Sequence, residues 1–418
     1  MNYITEYDSV AKINLDCILG ADIEIKKVMH GSGGSINIIV LAISKKTGAE
    51  FIIKIFPRTI YYNVKIYPNF DDLEMAFYYF FTKQYVQTNR TPHIVGIYSS
   101  IKCPDLESII KQKIMGMSCP TITSKLKSKL KSRHRSKSDQ TYKTDYLCDI
   151  LLRKQMKMID SECDMILLEY CPDDFSSVLE QSLKKISVSK GENLEKDVSG
   201  LVRLLYRLFF QIIFTLTIIK DDYEGFLHGD FFLRNILIRS ESAYKSTDYV
   251  SYQYKSNIFY LPANGFYAKI NDFGMTTIAN KIEPNVFDPN ADPRRVLNGQ
   301  NYNPFSKKTD LYNFFIDLYD ELLFIEEEEN IHPVKLQSVY KLIRKFFNTD
   351  TIDKIPDKDY LSSIWHIEGI DILTSTLKTP PEYLMGKLFD QFKTLPVGCV
   401  VIKKFNWEKI EFITISDI

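Results

Sequence analysis

Short runs of apolar residues, typical of β-strands, dominate the first part of the chain. Residues 23 to 56 contain three of them, including Ile36 to Ile43 and Phe51 to Phe56. From Asp71 to Tyr85 the apolar positions instead recur at helical spacing after an acidic start. His93 to Tyr98 then returns to a strand pattern. The pattern predicts a small strand-rich region that contains one helix.

Helical periodicity dominates the rest of the chain. A strand pattern at Met165 to Tyr170 precedes a long apolar helix, predicted from about Leu201 to Ile219. Beyond Phe226 we expect short strands, with a hairpin turn at Asn264-Gly265, and then mostly helices. The predicted fold class is α+β, with a strand-rich first part and a mainly helical second part.

Three polar stretches interrupt this pattern, at about 101–160, 184–199 and 240–260, and we expect them to be insertions, the second of them a polar linker before the long helix. The first contains Lys125 to Lys137, in which seven of thirteen residues are basic and none is acidic. Such a tract is most often mobile and solvated. The alternatives are contact with a polyanion, which would weaken with salt, and binding by an importin as a nuclear-localisation signal.

Composition excludes several classes of protein. With 418 residues, 45% of them hydrophobic and 25% charged, the chain can bury a substantial core, which excludes a disordered or fibrous protein. Basic and acidic residues balance at 53 each, so no global field attracts a polyanion or a membrane. The seven cysteines form no Cys-x-x-Cys pair, which favours reduced thiols.

No segment has the pattern of a membrane span or a signal peptide. The longest nearly apolar run, Leu208 to Ile219, covers about 12 residues, whereas a transmembrane helix needs about 20. We therefore expect a soluble, intracellular protein without a transmembrane segment.

The first candidate for chemistry is Lys54, which lies within the apolar run Phe51 to Phe56. A buried ammonium is costly unless an anion pairs with it, so Lys54 requires an anionic partner. About twenty residues upstream, the segment His30 to Ser35 contains Gly31, Gly33 and Gly34. A glycine cluster between two strands can bring backbone N–H groups close to a phosphate, although an ordinary hairpin turn has the same composition.

Two later motifs carry oxygen ligands between apolar flanks. Asp230 and Asn235 lie in the segment that follows the long predicted helix, and Asp272 lies in Asn271-Asp272-Phe273-Gly274. Carboxylate and amide oxygens suit Mg²⁺, which binds through one or two carboxylates together with substrate phosphates. Each motif alone is weak, but their order and spacing are a poor match to chance.

In this order, the motifs resemble those of a eukaryotic-type protein kinase. The resemblance covers roughly residues 23–100 and 160–320. It implies a bilobal fold: an N-lobe, residues 1–170, with an antiparallel sheet and one helix, and a mainly helical C-lobe, residues 171–418. It also implies ATP and Mg²⁺ as cofactors and protein hydroxyls as substrates.

On the nucleotide side, the resemblance assigns Gly31, Gly33 and Ile38 to the glycine-rich loop. It makes Lys54 the residue that contacts the α- and β-phosphates, with Glu74 as its helical partner. A hinge that hydrogen-bonds adenine through its backbone is implied at two further residues, Glu169 and Cys171.

On the catalytic side, Asp230 corresponds to the residue that accepts the proton of the substrate hydroxyl. Asn235 and Asp272 correspond to the Mg²⁺ ligands. The resemblance also implies that Asp310 is a buried residue at the start of a helix, where it braces the catalytic loop. His228 fits a packed, structural histidine beneath Phe273 better than a catalytic base.

The chain departs from the family pattern at three of the motif positions. Ile36 stands where the third glycine of the loop belongs, and Gly229 replaces the arginine that pairs with a phosphorylated activation loop. We therefore predict no activation through that pairing. Phe232 replaces the lysine of serine/threonine kinases, while Arg234 lies where tyrosine kinases carry an arginine and can supply the same charge. Serine/threonine versus tyrosine specificity stays open on these residues.

The long insertion before Asp272 and the segment Thr379 to Leu384 look similar to divergent kinases of large DNA viruses. That finer resemblance implies serine/threonine specificity and a location in host cytoplasm or virions, with the nucleus as an alternative through the basic tract. Two rival functions remain. Ile36 and Phe232 favour a pseudokinase scaffold, and His228-Gly229-Asp230 also fits a small-molecule phosphotransferase.

Overall fold

The computed structural model describes residues 23–29, 37–59, 70–103, 105–110, 157–278, 309–346 and 377–402, with 147, 150–151 and 153–155. The chain divides into two compact units. The described parts of the first unit lie within 23–59 and 96–170, and those of the second lie within 70–95 and 171–402.

The first unit contains one antiparallel sheet in the order β1-β2-β3-β5-β4. Its strands are β1 (Ile23–Met29), β2 (Ile38–Ser44), β3 (Glu50–Thr59), β4 (Ile97–Cys103) and β5 (Ile159–Glu169). The three strands expected within residues 23 to 56 are confirmed. The strand expected at His93 to Tyr98 instead begins at Ile97, and only an isolated bridge forms at Ile94.

Alternation along the strands builds the core of this unit. In β2 every second residue is buried, and in β3 the side chains of Phe51, Ile53 and Ile55 are fully buried on the same face. Short helical segments supply further apolar side chains to this core, among them Leu106, Ile109, Ile110, Leu147, Ile150 and Leu151. Side chains at i and i+2 share a face of a strand, so this alternation leaves Lys54 on the opposite face of the sheet.

The second unit is mainly helical among its described residues. Its helices are α1 (Phe70–Phe81), α2 (Phe175–Val188), α3 (Gly191–Asp222), α4 (Thr309–Glu328), α5 (Gln337–Arg344) and α6 (Pro380–Met385). A π-helical turn at Thr82–Val86 extends α1, and 3₁₀ turns occupy Leu233–Asn235, Phe273–Met275, Pro333–Leu336 and Asp390–Phe392.

Short strands complete the second unit. They are β6 (Asp173–Asp174), β7 (Phe226–Leu227), β8 (Ile236–Glu241), β9 (Asp248–Tyr254), β10 (Asn257–Pro262), β11 (Gly265–Ile270), β12 (Thr277–Ile278) and β13 (Val400–Ile402). They form three small sheets in the orders β11-β8-β6, β10-β9-β13 and β12-β7.

The long apolar helix α3 is the centre of the second unit, because aromatic side chains pack on two of its sides. The Phe209 ring contacts the rings of Phe175, Phe314, Phe315 and Phe346. The next residue, Phe210, contacts Phe214, Tyr252, Phe259, Phe389 and Phe392. The helix therefore joins α2 and α4 on one side to the β9–β10 hairpin on another.

The stretch expected as a polar insertion, at about 240–260, is folded and contributes side chains to the core. Within the β9–β10 hairpin, Tyr252 and Phe259 are almost fully buried. The buried ring of His93 donates from Nδ1 to the carbonyl of Ala268 and accepts from the Tyr252 hydroxyl at Nε2, each at 2.9 Å. Polar residues alternate with these buried aromatics, which is why the sequence of the stretch looked polar as a whole.

Two further expectations are wrong. Asn264-Gly265 joins β10 to β11, which pair with other strands, so it is not a hairpin turn. The hairpin instead turns at Lys255 and Ser256, with Lys255 at φ +52°. The stretch 184–199 is not a linker, because α2 runs to Val188 and α3 begins at Gly191.

The longest apolar run in the sequence is too short to span a membrane, but among the described helices α3 as a whole is long and apolar enough to do so by length and composition. Its most apolar window is 78% buried by the rest of the protein, as in the core helix of a globular domain. The basic tract Lys125 to Lys137 lies outside the described residues.

Packing of the β9–β10 hairpin gives a stability prediction. Phe259→Ala should lower the free energy of unfolding by about 3–5 kcal/mol, because it empties a fully buried aromatic site against α3. Ser251→Ala in the neighbouring strand is the control and should change it by less than about 0.5 kcal/mol, because Ser251 is exposed. Urea denaturation measures both. An equally small effect of the two variants would contradict the packing of this hairpin.

Candidate active site

The segment 228–235, called here the catalytic loop, is anchored by the carboxylate of Asp310. This residue lies in the first turn of α4 and is fully buried. Both of its oxygens accept from the backbone N–H of His228 at 3.2 Å, and one also accepts from Gly229 at 3.3 Å. The ammonium of Lys220, at the end of α3, lies 3.6 Å from the same carboxylate and donates to the Phe226 carbonyl. The buried charge is thus both paired and hydrogen-bonded.

His228 has a structural role in this loop. Its Nε2 lies 2.9 Å from the carbonyl of Asn271, which can only accept, so Nε2 carries the proton. Its Nδ1 therefore accepts from the backbone N–H of Asp230 at 3.4 Å. The ring also packs against Phe231 and Phe273. The packing against Phe273 was predicted from the sequence; the connection that His228 makes between the loop and Asn271 was not.

Two neighbours orient the carboxylate of Asp230. The amide of Asn235 donates to the Asp230 backbone carbonyl and to its Oδ2, each at 2.7 Å. The guanidinium of Arg234 contacts the two carboxylate oxygens at 2.8 and 3.1 Å and lies over the Phe232 ring. Asp230 and Arg234 remain partly exposed, whereas Asn235 is buried.

The segment 271–274, called here the metal loop, joins the catalytic loop directly. The backbone N–H of Asn271 donates to the carbonyl of Asn235 at 2.9 Å. Asp272 has φ +62°, a left-handed conformation that is unusual for a residue with a Cβ. Such a conformation persists only where the surroundings impose it, and it occurs often at functional sites. The two predicted Mg²⁺ ligands, Asn235 and Asp272, therefore belong to connected loops.

Tyr78 of α1 supports the metal loop, and no sequence signal pointed to it. Its hydroxyl donates to Oδ1 of Asn271 at 2.5 Å and accepts from the backbone N–H of Asp272 at 3.0 Å. Its ring meets Phe273 edge-on at 5.0 Å. In the sequence, Tyr78 looked like one more apolar residue of an amphipathic helix, because its partners lie almost two hundred residues away.

Glu74 lies one helical turn before Tyr78 and is also buried, with 3% of its surface exposed. Its Oε2 lies close to the metal loop, 3.5 Å from the position that a Cβ on Gly274 would occupy. Glu74 and Lys54 belong to different units. Their ion pair therefore stays a prediction.

In the first unit, Lys54 is 8% exposed and lies opposite Ile39 of β2 and Ile166 of β5. Its ammonium is 5.4 Å from the centre of the Phe56 ring. Ile38, assigned to the glycine-rich loop, is fully buried at the start of β2. Gly31 and Gly33 lie outside the described residues.

The predicted hinge begins where β5 ends. Glu169 is buried and bonds twice to Gly96: its backbone N–H donates to the Gly96 carbonyl at 2.8 Å, and its side chain accepts from the Gly96 N–H at 3.2 Å. Cys171, two residues further on, is also buried and begins the described part of the second unit after β5.

Gly229 has a steric role that could not be inferred from the sequence, where it was noted only as a glycine in place of the family's arginine. Its φ is +82°, and a Cβ at this position would lie 2.3 Å from the carbonyl oxygen of Met275. The hydroxyl of Thr276 donates to the carbonyl of His228, and β12 pairs with β7 immediately beside this contact. The close approach of these two segments requires glycine.

A second carboxylate, that of Asp317, lies beside the catalytic loop. Its pKa is raised, mainly by burial and also by the nearby negative charge of Asp230. The hydrogen bond from the Leu233 N–H and the positive charge of Arg234 act in the opposite direction. The 2.7 Å hydrogen bond from the Leu233 N–H fixes the turn that presents Arg234 and Asn235.

In the part of the chain that the structure describes, no group of three His, Cys, Asp or Glu side chains forms a metal site.

Comparison with known proteins identifies the family. The chain is 39% identical over 412 residues to a protein of Acanthamoeba polyphaga mimivirus that bears the provisional name of a serine/threonine-protein kinase. This match covers 97% of the chain and 99% of the relative. A second mimivirus protein with the same provisional description is 28% identical over 156 residues, covering 35% of the chain and 32% of the relative. No family model matches the sequence.

The antiparallel sheet, the later helices and the order of the motifs define a protein-kinase-like fold. With the near full-length relative, they show that the chain belongs to the protein kinase superfamily and resembles the serine/threonine kinases of large DNA viruses.

The close approach at Gly229 gives a prediction. Gly229→Ala should destabilise the protein by about 1–3 kcal/mol, because a Cβ cannot fit against the Met275 carbonyl and the positive φ becomes strained. Gly200→Ala is the matched control. A Cβ at this position in α3 would meet no neighbouring atom within 4 Å, so alanine should stabilise the helix by about 0.5–1 kcal/mol. Thermal unfolding distinguishes the two, and a harmless Gly229→Ala would refute the steric argument.

Proposed function

We propose that this protein is an active kinase that transfers the γ-phosphate of ATP to a serine or threonine hydroxyl of a protein, with Mg²⁺. The observation that carries the proposal is the hydrogen bond between Asn271 and Asn235. It connects the loop with the candidate base, Asp230, to the loop with the candidate metal ligand, Asp272. A kinase needs both groups at one reaction centre.

In this mechanism Asp230 orients the substrate hydroxyl and accepts its proton. The carboxylate suits that task because Asn235 fixes its direction while part of its surface stays open to a substrate. Arg234 now pairs with Asp230, and it can turn to the transferred phosphate without leaving the loop. It would then supply the positive charge that Phe232 lacks.

The donor set suits Mg²⁺. Asp272 offers a carboxylate, and Asn235 directs its amide nitrogen to Asp230, which leaves its amide oxygen as an acceptor. The ion would neutralise charge on the phosphates during transfer. The remaining ligands would be phosphate oxygens and water.

Lys54 would contact the α- and β-phosphates, with Glu74 as its partner. The phosphates would be covered by the glycine-rich loop, represented by Gly31, Gly33 and Ile38. Adenine would bind to the backbone of the predicted hinge, at Glu169 and Cys171. The buried position of Lys54 supports this role, because an ammonium in an apolar strand requires an anion.

We also propose that the substrates are proteins, and that the basic tract Lys125 to Lys137 contacts a polyanion or an importin.

The rival function is a pseudokinase scaffold, favoured by Phe232 and by the ion pair that occupies Asp230. Both proteins would bind ATP, but only a kinase would transfer phosphate. A small-molecule phosphotransferase has less support, because the two relatives of this chain are named as protein kinases.

The function is tested by removing the metal ligand and the phosphate-binding lysine. Asp272→Ala and Lys54→Met should each reduce ³²P transfer from ATP to protein by at least about 100-fold, because each removes charge stabilisation from the transition state. Circular dichroism and thermal unfolding provide the folding control. Transfer at the parental rate by either folded variant would contradict the assignment.

Support of the metal loop by Tyr78 gives a separate prediction. Tyr78→Phe should raise the Mg²⁺ concentration needed for half-maximal activity by roughly 3- to 10-fold, because the Asp272 backbone loses a hydrogen-bond partner. The readout is activity titrated with Mg²⁺ at saturating ATP.

Tyr85→Phe is the matched control. Tyr85 is also fully buried, and its hydroxyl donates to Asp222 at 2.8 Å, away from the metal loop. We expect a similar loss of stability without a change in Mg²⁺ dependence. If both variants shift the Mg²⁺ titration equally, Tyr78 acts only through general stability.

A further inference from the structure

Two cysteines lie directly opposite each other in the sheet of the first unit. Cys103 ends β4, and the antiparallel register pairs it with Cys163 of β5. The irregularity in this strand pair lies at the other end, between Ile97 and Ser99. Both side chains are fully buried. The pairing follows from the backbone register and does not depend on the conformation of a surface loop.

Opposed positions of an antiparallel pair suit a disulfide. Their Cα atoms are about 4.5 or 5.5 Å apart, depending on whether the pair is hydrogen-bonded, and a disulfide requires about 4.4–6.8 Å. Their Cβ atoms are about 4.5–5.5 Å apart, so a small closure brings the sulfurs into bonding distance. Either type of pair therefore accepts the bond with little movement of the strands.

While β4 and β5 stay paired, the surroundings of the two cysteines keep them as protonated thiols. The pKa of Cys163 is raised by its hydrogen bond with Cys103 and then by burial. Protonated, buried thiols react slowly, because the thiolate is the nucleophile. However, β4 is the outer strand of the described sheet, so separation of this edge would expose both sulfurs at once.

We propose that Cys103 and Cys163 form a disulfide site that links β4 to β5 under oxidising conditions. The oxidant is a small disulfide such as oxidised glutathione. One cysteine thiolate attacks it and releases one glutathione thiolate, which takes up the proton. The second cysteine then attacks the mixed disulfide and releases the other glutathione. Two protein thiols are oxidised, and one glutathione disulfide is reduced to two thiols.

The bond would secure the end of the strand pair opposite the hinge. At the hinge end, Glu169 already bonds twice to Gly96 immediately before β4. The disulfide would close a loop of about 60 residues, including the basic tract, and long loops gain most from closure. This inference concerns the first unit alone and does not depend on the proposed kinase activity.

The test is to equilibrate the full chain with mixtures of oxidised and reduced glutathione. Remaining thiols are then alkylated in denaturant, and the protein is digested for mass spectrometry. We expect one linked peptide that joins Cys103 to Cys163, reversible by dithiothreitol, and a melting temperature about 3–10 °C higher than that of the reduced protein.

Variants separate this bond from others in the chain. Cys163→Ala and, if it folds poorly, Cys163→Ser should lose both the linked peptide and the rise in melting temperature. Cys171→Ser, which alters another buried thiol, should retain them. The proposal is overturned if both thiols are still fully alkylated at equilibrium, or if either cysteine links to a different partner.

Discussion

The buried carboxylate of Asp310 is the group on which the arrangement of the candidate active site depends. It accepts hydrogen bonds from His228 and Gly229 and pairs with Lys220, so one side chain connects α3, α4 and the catalytic loop. A carboxylate at this depth would be costly without these partners, and loop amides would be costly without the carboxylate. The requirement is mutual, and it fixes the backbone from which Asp230 and Asn235 project.

The metal loop is built onto this framework through side-chain and backbone hydrogen bonds. His228 and Asn235 bond to Asn271, and Tyr78 bonds to both Asn271 and Asp272. Gly229 permits close contact with Met275 where related kinases carry an arginine for a phosphorylated loop. Direct contacts among the loops and α1 therefore connect the catalytic loop, the metal loop and the segment at Met275.

The sequence indicated candidate functional groups more readily than it indicated packing. Lys54, Asp230 and Asp272 are candidates because a buried cation and closely spaced oxygen ligands are unusual in apolar surroundings. The role of Tyr78 could not be predicted, since its partners are distant along the chain. Likewise, polar residues between Tyr252 and Phe259 concealed a buried hairpin face, and nothing in the sequence indicated the positive φ of Gly229.

If contacts within the chain are enough to organise the catalytic and metal loops, phosphate transfer requires no earlier phosphorylation of this protein. The most direct measurement is the time course of phosphate transfer to a protein substrate by enzyme that has been treated with a phosphatase and repurified. We expect transfer that is linear from the first turnover, at the rate of the untreated enzyme. A lag that disappears after preincubation with ATP, or a loss of rate of about 10-fold or more, would contradict this expectation.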